Sequence, residues 1–158
     1  MTEAGRLCKI PVKVFMIIFT HFQVSVVIMS FLTNVYCDEL LETCEEGDLN
    51  QVNLKIFSGV QGIFPFCQSF PGVRMFLALP NVRNRPHWYP KFRPNILRSL
   101  HQVMTSQPQN LQLLEDFQGE LDADGVHFKI MDGVNFAHYL VDQASILISK
   151  PVPQVVLR

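Results

Sequence analysis

The sequence predicts an α/β domain, a parallel sheet covered by helices on both faces. Three observations lead there. Short apolar or β-branched runs alternate with longer stretches whose apolar residues recur at three- and four-residue steps. In chain order these read strand, helix, strand, long loop, helix, strand, loop, helix. The chain has 158 residues, 48% hydrophobic and 17% charged, enough for one domain with a sizeable core.

The first strand is expected over Val24–Met29, where Val24, Val26, Val27 and Ile28 are β-branched, a composition suited to burial on both faces. It lies within a longer run, Val14–Tyr36, in which His21 is the only residue able to carry a charge. Such a run is long enough to span a bilayer. Arg6, Lys9 and Lys13 before it and acids after it would put its N-terminus in the cytoplasm. Thr20-His21-Phe22-Gln23, however, places polar groups at its middle, where they are costly in lipid. Sheet and core is therefore the preferred reading, and a single membrane span through Val14–Tyr36 the alternative. The expected organisation is an apolar N-terminal segment over 1–23, a domain over 24–148 and a tail over 149–158.

After an acidic stretch broken at Gly47, the residues Val52, Leu54, Ile56, Phe57, Val60, Ile63, Phe64 and Phe66 mark one helix face, which Gly59 and Gly62 weaken. Pro71-Gly72 turns the chain into a second strand, Val73–Leu79, closed by Pro80. With four prolines, Pro80–Pro94 is expected to be irregular, and Pro94 suits the first turn of a helix over Asn95–Ser106. A third strand follows over Asn110–Glu115, and Val134–Leu147 carries the last helical pattern.

The net charge is −1, so the chain lacks the basic balance of a dedicated nucleic-acid binder. Its charges are nonetheless segregated. No acid occurs from Leu49 to Leu114, while Lys55, Arg74, Arg83, Arg85, Lys91, Arg93 and Arg98 do. Arg83, Arg85, Trp88 and Tyr89 interleave cations with rings, as single-stranded nucleic acid or an anionic ligand would require. Equally, the rings could fold down as a lid while the arginines stay solvated. Cys8, Cys37, Cys44 and Cys67 contain no pair at zinc-ligand spacing. No metal or cofactor is expected, and reduced, intracellular thiols are.

In a parallel sheet, ligands bind beyond the carboxyl ends of the strands. Ser30–Asn34, Pro80–Tyr89 and Asp122–His127 are expected to converge there. The last of these holds Asp124 and His127 three apart with Gly125 between them. One reading is an Asx-type turn capping the final helix, with His127 partly buried. The other is the acid and base of a Ser-His-Asp triad, in which the carboxylate fixes the imidazole tautomer.

Asp124-Gly125-Val126-His127, placed just before the last helix, resembles the C-terminal D-x-x-H of the SGNH (GDSL-type) hydrolases. The resemblance covers about Val24 to Leu147 and implies a flavodoxin-like three-layer α/β/α fold with serine esterase chemistry. It also implies an oxyanion role for Asn34, which closes "VVIMSFLTN", although the family's G-x-N-D is reduced here to L-T-N. The family's Gly-Asp-Ser block, which follows its first strand, has no counterpart. The one Gly-Asp is Gly47-Asp48, followed by Leu49, and Ser30 and Ser58 are the nearest substitutes for a nucleophile. The resemblance thus implies a degenerate domain, or one truncated at its N-terminus, without catalysis of its own. An active esterase whose nucleophile is unrecognised or supplied by a partner is the alternative. Because the family's first strand would flank Val24–Met29, its absence leaves an apolar sheet edge prone to self-association. Such domains also occur in proteins encoded by some retrotransposons, so a relic of that kind fits the resemblance.

Overall fold

The computed structural model describes residues 23–30, 49–85 and 87–149. The elements are β1 (Val26–Met29), α1 (Leu49–Gly62), α2 (Phe64–Gln68), β2 (Arg74–Leu77), α3 (Tyr89–Val103), β3 (Leu111–Leu113) and α4 (Ile130–Ser149). A single 3-10 turn, Met104–Ser106, extends α3. The sheet has the order β1-β2-β3, and both neighbours of β2 run parallel to it, with Val27 opposite Met75 and Phe76 opposite Gln112. The α/β class, the parallel sheet and the order of elements are those expected.

β2 is the centre. Its alternate residues enter two separate apolar clusters, as a period of two requires. Met75 and Leu77 pack with Val60 of α1 and with Ile96, Leu100 and Val103 of α3. Phe76 and Ala78 pack instead with Leu114 and with Leu140 and Ala144 of α4.

Four local expectations differ from what is observed. β1 is not buried on both faces: Val26 is 36% exposed and the rest of the strand half-buried, because among the described residues it pairs on one side only. The first helical pattern is two helices, broken between Gly62 and Phe64, with Pro65 tolerated in the first turn of α2. The proline-rich stretch is not irregular throughout, since α3 begins at Tyr89 and includes both Pro90 and Pro94. Pro90 takes a first-turn position whose N–H has no helical partner in any case. Pro94 lacks only a donor to the Pro90 carbonyl, and both residues are exposed. The last helix is longer than its apolar pattern, running from Ile130 to Ser149.

Of the candidate membrane run 14–36, residues 26–29 form the strand paired with β2, and the remainder lies largely outside the described residues. No described helix is long and apolar enough to cross a membrane.

Two polar side chains lock the amino end of the sheet. The Asn110 amide, just before β3, donates to the carbonyls of Cys67, Phe70 and Val73, each at 2.9 Å. It thereby ties the end of α2 and the turn into β2 to the neighbouring strand. The Arg74 guanidinium, at the start of β2, donates to the Leu147 and Ile148 carbonyls at 2.9 and 3.1 Å. α4 has no basic residue in its last turn, and Arg74 supplies the cation that the negative end of its dipole favours.

Asn110→Ala removes the side-chain donor shared by three carbonyls; those of Cys67 and Phe70 keep a backbone N–H, and that of Val73 loses the Asn110 donor. A loss of about 2 kcal/mol is expected, read as a fall of several degrees in the thermal midpoint without loss of helical signal before the transition.

Candidate functional site

β3 leads into a hairpin rather than directly into α4. Leu121 and Phe128 form an antiparallel bridge. The Asp122 N–H donates to the His127 carbonyl at 2.8 Å, and the Lys129 N–H to the Glu120 carbonyl at 3.0 Å. At the tip, Gly125 takes φ +68° and its N–H bonds the Asp122 carbonyl at 2.9 Å. That left-handed conformation is disfavoured for residues with a Cβ.

The Asp124 carboxylate is used on both oxygens. Oδ1 accepts the backbone N–H groups of Val126 and His127 at 2.8 and 3.0 Å, an Asx turn. Oδ2 lies 2.5 Å from Nδ1 of the His127 ring. The two sequence readings are therefore not exclusive: one carboxylate makes the turn and orients the imidazole. It does not cap α4, and His127 is not partly buried. The His127 side chain is 76% exposed and that of Asp124 47%. The His127 ring bond, followed by the two backbone donors, holds the Asp124 carboxyl well below its ordinary value of 3.8. A depressed carboxyl stabilises the fold fully above that ordinary value, and the contribution is lost as pH falls through the lower, folded-state one. With Nδ1–H donating to Asp124, the neutral ring presents Nε2 as a proton acceptor to solvent.

The hairpin tip is docked on the loop after β2. The Asn84 N–H donates to the Gly125 carbonyl at 2.7 Å, and a Cβ at Gly125 would stand 3.2 Å from that of Asn84. Arg93 joins the same two regions from α3. Its guanidinium bonds the Pro80 carbonyl at 2.8 Å, after β2, and the Asp116 carboxylate at 2.5 Å, after β3. Behind the hairpin, Phe117 stacks against Phe128, Phe136 and Tyr139 at 5.2–5.4 Å between ring centres. A Cβ at Gly119 would come within 3 Å of Phe117 and Phe128. Arg93 was read from the sequence only as one cation of the basic stretch, and Asn84, Asp116 and this aromatic cluster were not singled out. The recurrence of Phe117, Phe128 and Phe136 was the available signal.

The structure brings together two of the three carboxyl-end segments, the Pro80–Tyr89 loop and the Asp122–His127 tip. Asn34 lies outside the described residues, as do Gly47 and Asp48. Ser30 is exposed at the carboxyl end of β1. Ser58 sits near the C-terminus of α1, on the path to the amino end of β2, and so away from His127. Of the cation-and-ring candidates, Arg83 is buried, and Tyr89 is completely buried with its hydroxyl bonding the Asn81 carbonyl at 2.9 Å. Trp88 is half-buried and packs edge-on to Phe92. Arg85 remains exposed, its Cγ 3.8 Å from where a Gly125 Cβ would stand. Cys67 is buried and its thiol pushed up to about 11 by desolvation, which makes it unreactive. A cavity of about 620 Å³ opens beside the hairpin base, lined by Gln118, Gly119, Glu120, Lys129, Met131 and Asp132 and not by the Asp–His pair.

The chain matches no protein-family model, no curated protein and no solved structure, so its functional reading rests on these residues and their geometry.

Gly125→Ala combines a left-handed φ with contact against Asn84. A loss of about 1–2 kcal/mol is expected, measured by thermal or urea unfolding. Gly72→Ala, with open space around its Cβ and no positive φ, should stay within roughly 0.5 kcal/mol of the parent.

Proposed function

We propose that residues 24–148 form an SGNH (GDSL-type) hydrolase-like domain of flavodoxin-like, three-layer α/β/α type. On this reading the domain keeps the acid and base of a serine esterase without the nucleophile, and does not turn over esters on its own. The observation that carries it is the 2.5 Å contact between Asp124 Oδ2 and His127 Nδ1, held in a turn that follows the last described strand of a parallel sheet. The division of β2 side chains between a cluster with α1 and α3 and another with α4 supports the layering.

His127 can take a proton through Nε2, and Asp124 can stabilise the imidazolium that results. That is half of a reaction. Acyl transfer also needs an attacking oxygen within hydrogen-bond reach of the base. The Gly-Asp-Ser block that supplies it in the family is not among the 158 residues. A triad lacking its nucleophile retains little beyond binding and electrostatic effects.

One observation favours the second reading, an esterase completed from outside. At 76% exposure, the His127 ring is open to a serine carried by another chain or segment. The loop bearing Arg85 borders the turn and would favour an acidic or acyl group there. A membrane role draws no comparable support, since residues 26–29 of the apolar run are strand.

The purified chain should hydrolyse no simple acyl ester and take up no fluorophosphonate probe. Stoichiometric labelling abolished by His127→Ala would contradict the proposal, and the labelled serine would then identify the nucleophile.

A further inference from the structure

Two of the chain's eight glycines follow an aspartate, Gly125 and Gly133, and none follows an asparagine. An Asp–Gly bond can rearrange with no co-reactant but water. Glycine has no Cβ to obstruct its own nitrogen, so that nitrogen can close on the side-chain carbonyl carbon of the aspartate before it. The new N–Cγ bond displaces the hydroxyl of a protonated carboxyl, which leaves as water with the amide proton. A five-membered succinimide results. Water then adds at the main-chain carbonyl carbon of the ring, and the original peptide C–N bond breaks. The product is isoaspartate, in which the chain runs through the side-chain carbon and a carboxylate remains on Cα.

The fold treats the two bonds differently. Asp132 lies in the first turn of α4, where it accepts the Glu120 N–H at 2.7 Å. The Gly133 N–H donates to the Lys129 carbonyl at 2.9 Å. For that nitrogen to reach the Asp132 Cγ, ψ of Asp132 must leave the helical well, which unwinds the turn. Gly125 stands instead at the hairpin tip. Rotating its peptide plane breaks one backbone bond, to the Asp122 carbonyl, and leaves the Leu121–Phe128 bridge in place. Such local openings cost less than unwinding a helix. At the tip the restraint comes from the carboxylate. Oδ1 is held by the Val126 and His127 N–H groups, and Oδ2 lies 2.5 Å from His127 Nδ1. These bonds fix the side chain and keep it ionised, and an ionised carboxylate has no hydroxyl to lose.

We infer that Asp124 is a site of spontaneous isoaspartate formation, restrained by its bond to His127, and that the modification dismantles the Asp–His pair. Isoaspartate adds a methylene to the main chain and moves the carboxylate onto Cα. Neither the turn on Oδ1 nor the ring bond on Oδ2 can then be remade. The Gly125 carbonyl also shifts from the Asn84 N–H that docks the tip. Mass and charge are unchanged, so the chain carries in its own tip a slow route from a paired to an unpaired His127. This inference goes beyond the proposed function and does not require it, since the rearrangement depends on the Asp124–Gly125 bond whether or not the pair serves an esterase.

The test is ageing of the full chain at neutral pH, with peptide mapping by electron-transfer fragmentation to distinguish isoaspartate from aspartate at each position. In urea both Asp–Gly bonds should convert at similar rates, which gives a reference within the same chain. In the folded chain Asp124 should convert severalfold more slowly than in urea, and severalfold faster than Asp132. His127→Ala should raise the Asp124 rate severalfold, toward that in urea. Asp132 should be unaffected and the melting temperature kept, because an exposed pair adds little stability. Equal conversion at the two positions of the folded chain, none at either included, would overturn the inference. So would faster conversion at Asp132, an Asp124 rate already equal to that in urea, or one indifferent to His127→Ala.

Discussion

The described fold depends on the burial of β2. The strand is hydrogen-bonded along both edges and packed on both faces, and Met75, Phe76 and Leu77 have no exposed surface. Burying three such side chains is worth roughly 5–9 kcal/mol at about 1.5–3 kcal/mol each. That is comparable to the whole stability of a small domain. Each end of the strand then fixes something else. Arg74 holds the C-terminus of α4 at the amino end. Beyond the carboxyl end, the Pro80 carbonyl receives Arg93 from α3 and Asn84 receives the hairpin tip.

The candidate site inherits its geometry from this arrangement and not from its own ion pair. Asp124 and His127 are both exposed, and an exposed pair contributes little stability. What places them is backbone: the left-handed Gly125, the Asx turn on Oδ1 and the bond from Asn84. A pair held in this way keeps a fixed geometry while giving up little solvent access. The cavity beside the hairpin base is lined by other residues and not by this pair.

Much of the fold was legible in the sequence because strands in a parallel sheet have few compositional choices. "VVIM" and the "MFL" of Met75–Leu77 are apolar for a reason that does not depend on which neighbours they meet. The start of α3 was obscured by prolines, whose cost depends on how near the helix N-terminus they fall, a position that residue type does not reveal. The half-exposure of β1 was hidden because burial is a property of the sheet order and not of the strand. The D-x-x-H spacing was readable, but not that a single carboxylate would serve both the turn and the ring. Arg93 and Asn110 were unreadable for a similar reason. Their partners lie 13 to 43 residues away, and nothing local distinguishes Arg93 from a solvated arginine or Asn110 from a turn residue. Tyr89 illustrates the limit, since a ring between cations suits stacking on a ligand and suits burial equally well, and here it is buried.

The bond between Asp124 and His127 is the point on which the functional reading turns, and nitrogen-15 NMR of the imidazole observes it directly. At a pH where the ring is neutral, the structure requires a proton on Nδ1, held in a hydrogen bond to the carboxylate and lost as a distinct tautomer in Asp124→Ala. A ring protonated on Nε2, or one whose spectrum is unchanged by Asp124→Ala, would mean that the two residues share a turn and nothing more.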